Sequence, residues 1–155
     1  MMDEQVHRAL AAQFFNDCWA LLDRGDRSAA DDLQMIHLAH ASRLHWQSAG
    51  GPAEWSIGEW QVSRVHAALG QPDAALLHAE AALALAGDGQ LGAFLAASSH
   101  EGMARALRAA GRQQEAQTHR QLALDWLDQV TEADDRAVVL ADLDMPGEIG
   151  PLRKG

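Results

Sequence analysis

Val62-Ser63-Arg64-Val65-His66-Ala67-Ala68-Leu69-Gly70-Gln71-Pro72-Asp73-Ala74-Ala75-Leu76-Leu77-His78-Ala79-Glu80-Ala81-Ala82-Leu83 is the stretch that decides the fold. It opens inside a helical pattern, about 53–69, in which Val62, Val65 and Leu69 share one face and Ile57 and Trp60 share a second. Two apolar faces predict a helix buried between neighbours. Gly70 then ends that helix, and Gln71 stands at the next cap. Pro72 suits a first turn that needs no N–H donor, and Asp73 complements the helix dipole. The segment 72–86 is mostly Ala and Leu and predicts a second helix folded back on the first.

Outward from this turn the same grammar recurs. Val6, Leu10, Phe14, Cys18 and Leu21 draw a stripe down a first helix that ends at Arg24-Gly25. Gly25 is expected in the left-handed conformation, with Asp26 or Ser28 capping a second helix that runs to about Gln47. Ala49-Gly50-Gly51-Pro52 is the sharpest break, and Gly87-Asp88-Gly89 is another. A fifth helix is predicted over about 91–110 and a sixth over about 113–129, turning at Gly111. Thr131 and Asp134 fit the cap of a short seventh helix. The domain is predicted over 1–143, and 144–155, with Pro146, Gly147, Gly150 and Pro151, as an irregular tail.

Gly25, Gly70 and Gly111 stand 45 and 41 residues apart. The order Val62, Ser63, His66, Gly70, Ala75, Ala79, Ala82, Leu83 is largely repeated by Met103, Ala104, Leu107, Gly111, Ala116, Ala123 and Leu124. This resembles the tetratricopeptide pattern of large, small and aromatic residues, a turn glycine, then small residues where helices cross. It covers 60–128 closely and 5–48 loosely. The spacing exceeds the usual repeat of about 34, and His66 or Leu107 replaces the aromatic residue. The resemblance implies an all-α fold of three antiparallel hairpins, six main helices, stacked as a right-handed superhelix. The stretch His40-Ala41-Ser42-Arg43-Leu44-His45-Trp46, with Gly58-Glu59-Trp60-Gln61 and Ser63-Arg64-Val65, also resembles a group of bacterial proteins with no known activity.

Composition restricts the function classes. With 22 acidic against 12 basic residues the formal charge is −10, which disfavours nucleic acid and anionic membrane surfaces as partners. No apolar run approaches the roughly 18–20 residues needed to cross a bilayer, and the N-terminus is acidic where a signal peptide is basic. Cys18 is the single cysteine, so neither an internal disulfide nor a cysteine-rich zinc site can form, and a cytoplasmic location is expected. Eleven arginines to one lysine, with heavy alanine use, resemble a GC-rich bacterial genome.

Eight histidines invite a metal reading. At about 100° per residue, His37, His40 and His45 share about 140° of the surface of helix two. A divalent metal there needs further ligands, for which Glu59, His100 and Glu101 are the candidates. Glu4 and His7 have the Glu-x-x-His spacing of di-iron bundles, but only one copy exists. Glu115 and His119 read as a surface pair.

Trp46, Trp55 and Trp60, with Arg43, Glu59 and Arg64, are expected to line a groove between helices two and three suited to a peptide or small ligand. No nucleophile or phosphate-loop signature is present, and Cys18 lies on the apolar stripe. The expected function is therefore a non-catalytic binding module without a cofactor, recognising a peptide or partner protein or pairing with itself as a homodimer. The alternative is a helical metal-binding protein or metalloenzyme with its histidine-rich site on helix two.

Overall fold

A computed structural model describes residues 1–144, which contain seven helices and no strand. They are α1 (Glu4–Leu22), α2 (Ala29–Ala49), α3 (Pro52–Ala68), α4 (Pro72–Ala86), α5 (Ala93–Ala109), α6 (Gln113–Leu127) and α7 (Ala133–Asp144). The seventh helix is longer than expected, at 12 residues, and includes Asp144. Residues 145–155, the rest of the expected tail, lie outside the described part.

The helix ends follow from local chemistry. Ser28 caps α2 in a reciprocal box, its hydroxyl accepting from Asp31 N–H while the Asp31 carboxylate accepts from Ser28 N–H. Pro52 and Pro72 each stand in a first helical turn. After α3, Gln71 N–H reaches back to His66 O and Gly70 N–H to Ala67 O, a Schellman closure. Arg112 N–H to Leu107 O and Gly111 N–H to Arg108 O repeat it after α5. Both glycines need positive φ, 67° at Gly70 and 76° at Gly111.

Gly25 corrects the expectation. It has no positive φ, because α1 ends on Asp23 and the chain reaches α2 through a looser connection capped by Ser28. A Cβ on Gly25 would meet nothing within 4 Å. Gly70→Ala and Gly111→Ala are therefore each expected to lower stability by about 1 kcal/mol or more, and Gly25→Ala to leave it unchanged or slightly raised. Urea unfolding of the three variants checks this.

Consecutive helices pair as α1·α2, α3·α4 and α5·α6, and the hairpins stack in chain order. Cys18, Met35, Leu38, Val62 and Val65 form the layer between the first hairpin and the second. Ala67, Ala75, Ala79, Met103, Leu107 and Ala116 form the next. Ala97, Ala123, Leu127, Val139 and Leu143 join α7 to the third hairpin. Alanine lets the backbones approach, and buried hydroxyls use that closeness. Ser42 Oγ donates to Ala11 O at 2.8 Å, and Ser63 Oγ to Ala75 O at 2.8 Å. Burial pushes the Cys18 thiol up to about 12, so it stays protonated in this core.

The odd-numbered helices pack on one another in the order α1, α3, α5, α7, while α2, α4 and α6 make no close backbone approach among themselves within the described residues. The row of hairpins therefore closes on its odd-helix side and opens on its even-helix side. The two sides carry different chemistry.

Candidate functional site

The second apolar face of α3, at Ile57 and Trp60, is what makes a cavity on the odd-helix side. Phe15 and Trp19 of α1 meet it from one hairpin, and Phe94 and Leu95 of α5 from the next. The space they enclose is about 320 Å3. Val138 and Asp142 of α7 line it as well, so the last helix lies against the cavity.

Close approach at Gly102 sets one wall. A Cβ there would stand 2.8 Å from Trp60 Cδ1, so only glycine lets the indole lie against α5. Trp60 Nε1 then donates to Glu101 Oε2 at 2.8 Å. Trp19 and Trp60 have ring centroids 5.8 Å apart, and the Arg64 guanidinium stands 4.8 Å from the Trp19 ring and 5.6 Å from the Trp60 ring.

Beneath the aromatic wall runs a buried charge network. Glu101 is 1% exposed and accepts from Arg105 Nε at 3.0 Å and Nη2 at 2.6 Å. Arg64 donates to Asp142 Oδ1 at 2.9 Å, and Arg105 to Asp142 O at 3.2 Å, which ties α7 to α3 and α5. Burial, and next the neighbouring Glu101 charge, raise the Asp142 carboxyl above its ordinary range despite Arg64.

The chain matches no known protein family, no curated protein and no solved structure. The placement of the residues therefore carries the functional reading.

The six residues expected to share a groove between α2 and α3 fall on different sides of α3. Trp60 and Arg64 belong to the odd-helix side, as above. Trp46 lines a smaller recess with Phe15, Glu54 and Ile57, and it receives the indole N–H of Trp55 on its carbonyl at 2.9 Å. Arg43 stands over the Trp55 ring at 5.8 Å and donates to Glu59 Oε1 at 2.8 Å. Trp19, Phe15 and Phe94 are not among the expected residues, because they reach the cavity from helices far apart in sequence from Trp60.

The expected metal set also divides among separate contacts. His37 is exposed, and His45 packs against His7 with Nδ1 atoms 2.8 Å apart. His100 pairs with His119, and Glu101 with Arg105 and Trp60. Glu115 acts on His119 through its charge, while its close ion pair is with Arg112 at 2.6 Å. Of that set, His40 and Glu59 meet at His78. One helix face set the expectation, whereas the ring contacts between histidines cross between helices.

Seven of the eight histidines lie in ring contact with another histidine. The third-hairpin pair is the plainest case: His100 Nε2 donates to Gly87 O at 3.2 Å, and its Nδ1 accepts from His119 Nδ1 at 3.0 Å. Burial, aided by the neighbouring His119, lowers His100 despite its hydrogen bond to Gly87; burial lowers His119 despite Glu115. With folded values below the ordinary value of about 6.5, the unfolded chain takes up protons first. This contribution is intact above about pH 6.5 and is lost as pH falls through the folded values. Urea midpoints between pH 7.5 and 5.5 are expected to fall more steeply for the native chain than for His119→Asn.

The second hairpin is different. His40 of α2, His66 of α3 and His78 of α4 gather on the open, even-helix side, with ring centroids 5.3–5.9 Å apart. His78 Nδ1 donates to Glu59 Oε2 at 2.7 Å, and His66 Nδ1 to Gln71 Oε1 at 2.6 Å. Burial pushes the Glu59 carboxyl up, but the His78 hydrogen bond and the Arg43 charge outweigh it and hold it below the usual range.

Proposed function

We propose that the chain is a non-catalytic binding module of the tetratricopeptide-like kind that takes an amphipathic peptide segment of a partner protein on its odd-helix side. The observation that carries this reading is the cavity of about 320 Å3 walled by Phe15, Trp19, Ile57, Trp60, Phe94 and Leu95. Its size falls at the lower end of the range of ligand pockets, about 300–1,000 Å3, and its lining suits bulky apolar side chains. Stacked hairpins present a long face to a partner, and α7 already lies across this one with Val138 at the cavity. The net charge of −10 favours basic residues flanking the apolar ones.

Selection from a displayed library of random peptides on the untagged protein tests this. The selected peptides are expected to carry bulky apolar residues at i, i+3 or i+4 spacing, with Arg or Lys beside them. Ser98 lines the cavity, so Ser98→Trp fills it from α5. These peptides are expected to bind that variant at least ten-fold more weakly. Peptides that bind both proteins equally, or a selection that yields none, would count against the reading.

A further inference from the structure

We propose that His40, His66 and His78 form a divalent transition-metal site of the zinc class that clips the first hairpin to the second. The inference stands apart from the peptide reading, since the cluster lies on the opposite, open side of the stack.

Among the described residues, these three side chains form a group in which one ring nitrogen of each lies within 4.8 Å of the others. His40 Nε2 and His66 Nε2 are 3.2 Å apart. Two nitrogens bound at about 2.0–2.1 Å to one tetrahedral ion stand about 3.3 Å apart, so this pair already has the ligand separation. The wider spacing to the third ring closes by side-chain rotation.

The outer atoms of the rings are what distinguish this cluster from ordinary hydrogen-bonded histidines. A metal-binding imidazole typically donates its other N–H to a carboxylate or carbonyl, which fixes the tautomer and leaves the remaining nitrogen's lone pair for the ion. His78 Nδ1 does so to Glu59, which is itself held by Arg43 at 2.8 Å, and His66 Nδ1 does so to Gln71. Both rings therefore keep Nε2 as the ligand atom. Three neutral imidazoles suit zinc, copper, nickel or cobalt, and leave a fourth position open. His78 is 21% exposed, which gives an ion a path from solvent.

The protein contains its own comparison. A shift of 41 residues, the spacing of Gly70 and Gly111, places Glu59 on His100, His78 on His119 and His66 on Leu107. In the third hairpin the corresponding pair has neither the third ring nor a carboxylate hydrogen-bonded to a ring. His7 and His45 likewise form a pair only. Among the described residues, the junction of the first and second hairpins alone combines three rings with a carboxylate support.

The test uses the untagged full chain and zinc ions alone, titrated by calorimetry, with cobalt(II) absorption as the readout of coordination geometry. Expected are one zinc per chain, a higher melting temperature with zinc, and the intense visible bands of tetrahedral cobalt. His66→Leu introduces the residue found at the matching place in the third hairpin, and His78→Asn is a second variant. Each is expected to weaken zinc at least 100-fold with its circular dichroism unchanged. Glu59→Gln is expected to weaken zinc about 10–100-fold. His119→Asn is expected to keep the single site. No stoichiometric zinc in the native protein, or full binding by a folded His66→Leu or His78→Asn, would overturn the proposal.

Discussion

Glu101→Ala is expected to lower the stability of the fold by about 3–5 kcal/mol, the range for breaking a buried ion pair from one side. The carboxylate is 1% exposed and the facing Arg105 2%, so solvent cannot replace what is removed. Three donor atoms converge on this side chain, Nε and Nη2 of Arg105 and Nε1 of Trp60, and all three lose their carboxylate together. The loss is a large part of the total of about 5–15 kcal/mol usual for a folded domain, so part of the variant population should be unfolded at 37 °C. The same reasoning says that the pair itself adds little. Replacing both partners, Glu101→Leu with Arg105→Met, removes the buried charges together and is expected to recover most of the loss. Urea midpoints of the single and double variants decide it. A single variant within about 1 kcal/mol of the native chain would show that the network under Trp60 is not buried as described.

Leu107→Ala is expected to cost about 2–5 kcal/mol, towards the upper end. Leu107 is 0% exposed and packs among Ala67, Ala75, Ala79, Ala106 and Ala116. Most of these neighbours are alanines without rotamers, and Met103, Leu76 and Leu83 fill only part of the space left, so much of the cavity persists. Leu77→Ala is the matched control, since Leu77 is 63% exposed on the outside of α4. It should change stability by no more than about 0.5 kcal/mol. Similar midpoints for the two variants would contradict the layer assigned between the second and third hairpins.

The helices and two of the three hairpin turns were legible because they are local. Gly70-Gln71-Pro72 and Gly111-Arg112 announce a left-handed closure followed by a helix start, and each formed as expected. Gly25 misled because a glycine between two helical patterns looks the same whether or not its φ is positive, and the Ser28 and Asp31 cap was the stronger local signal. The sites were less legible because they are assembled across helices. A wheel drawn on α2 groups His37, His40 and His45, yet these point to solvent, to His66 and to His7 respectively. His78 drew no attention as a single histidine in an alanine-rich helix. Its alignment with His119 at the 41-residue shift, beside Glu59 with His100, was the signal that would have marked it. Likewise, Trp46, Trp55 and Trp60 are near one another in sequence, but α3 separates them by presenting Trp60 to the inner side.

The inner side also offers a direct spectroscopic test, because the five tryptophans are distributed between the cavity and other places. Trp19 and Trp60 line the cavity, while Trp46, Trp55 and Trp126 do not. Each gives one indole N–H signal in a two-dimensional nitrogen–proton spectrum. Adding a peptide selected on the protein is predicted to shift the Trp60 and Trp19 signals while Trp55 and Trp126 stay in place. Shifts confined to Trp55 or Trp126, with Trp60 and Trp19 unmoved at saturation, would contradict the assignment of the odd-helix cavity as the binding site.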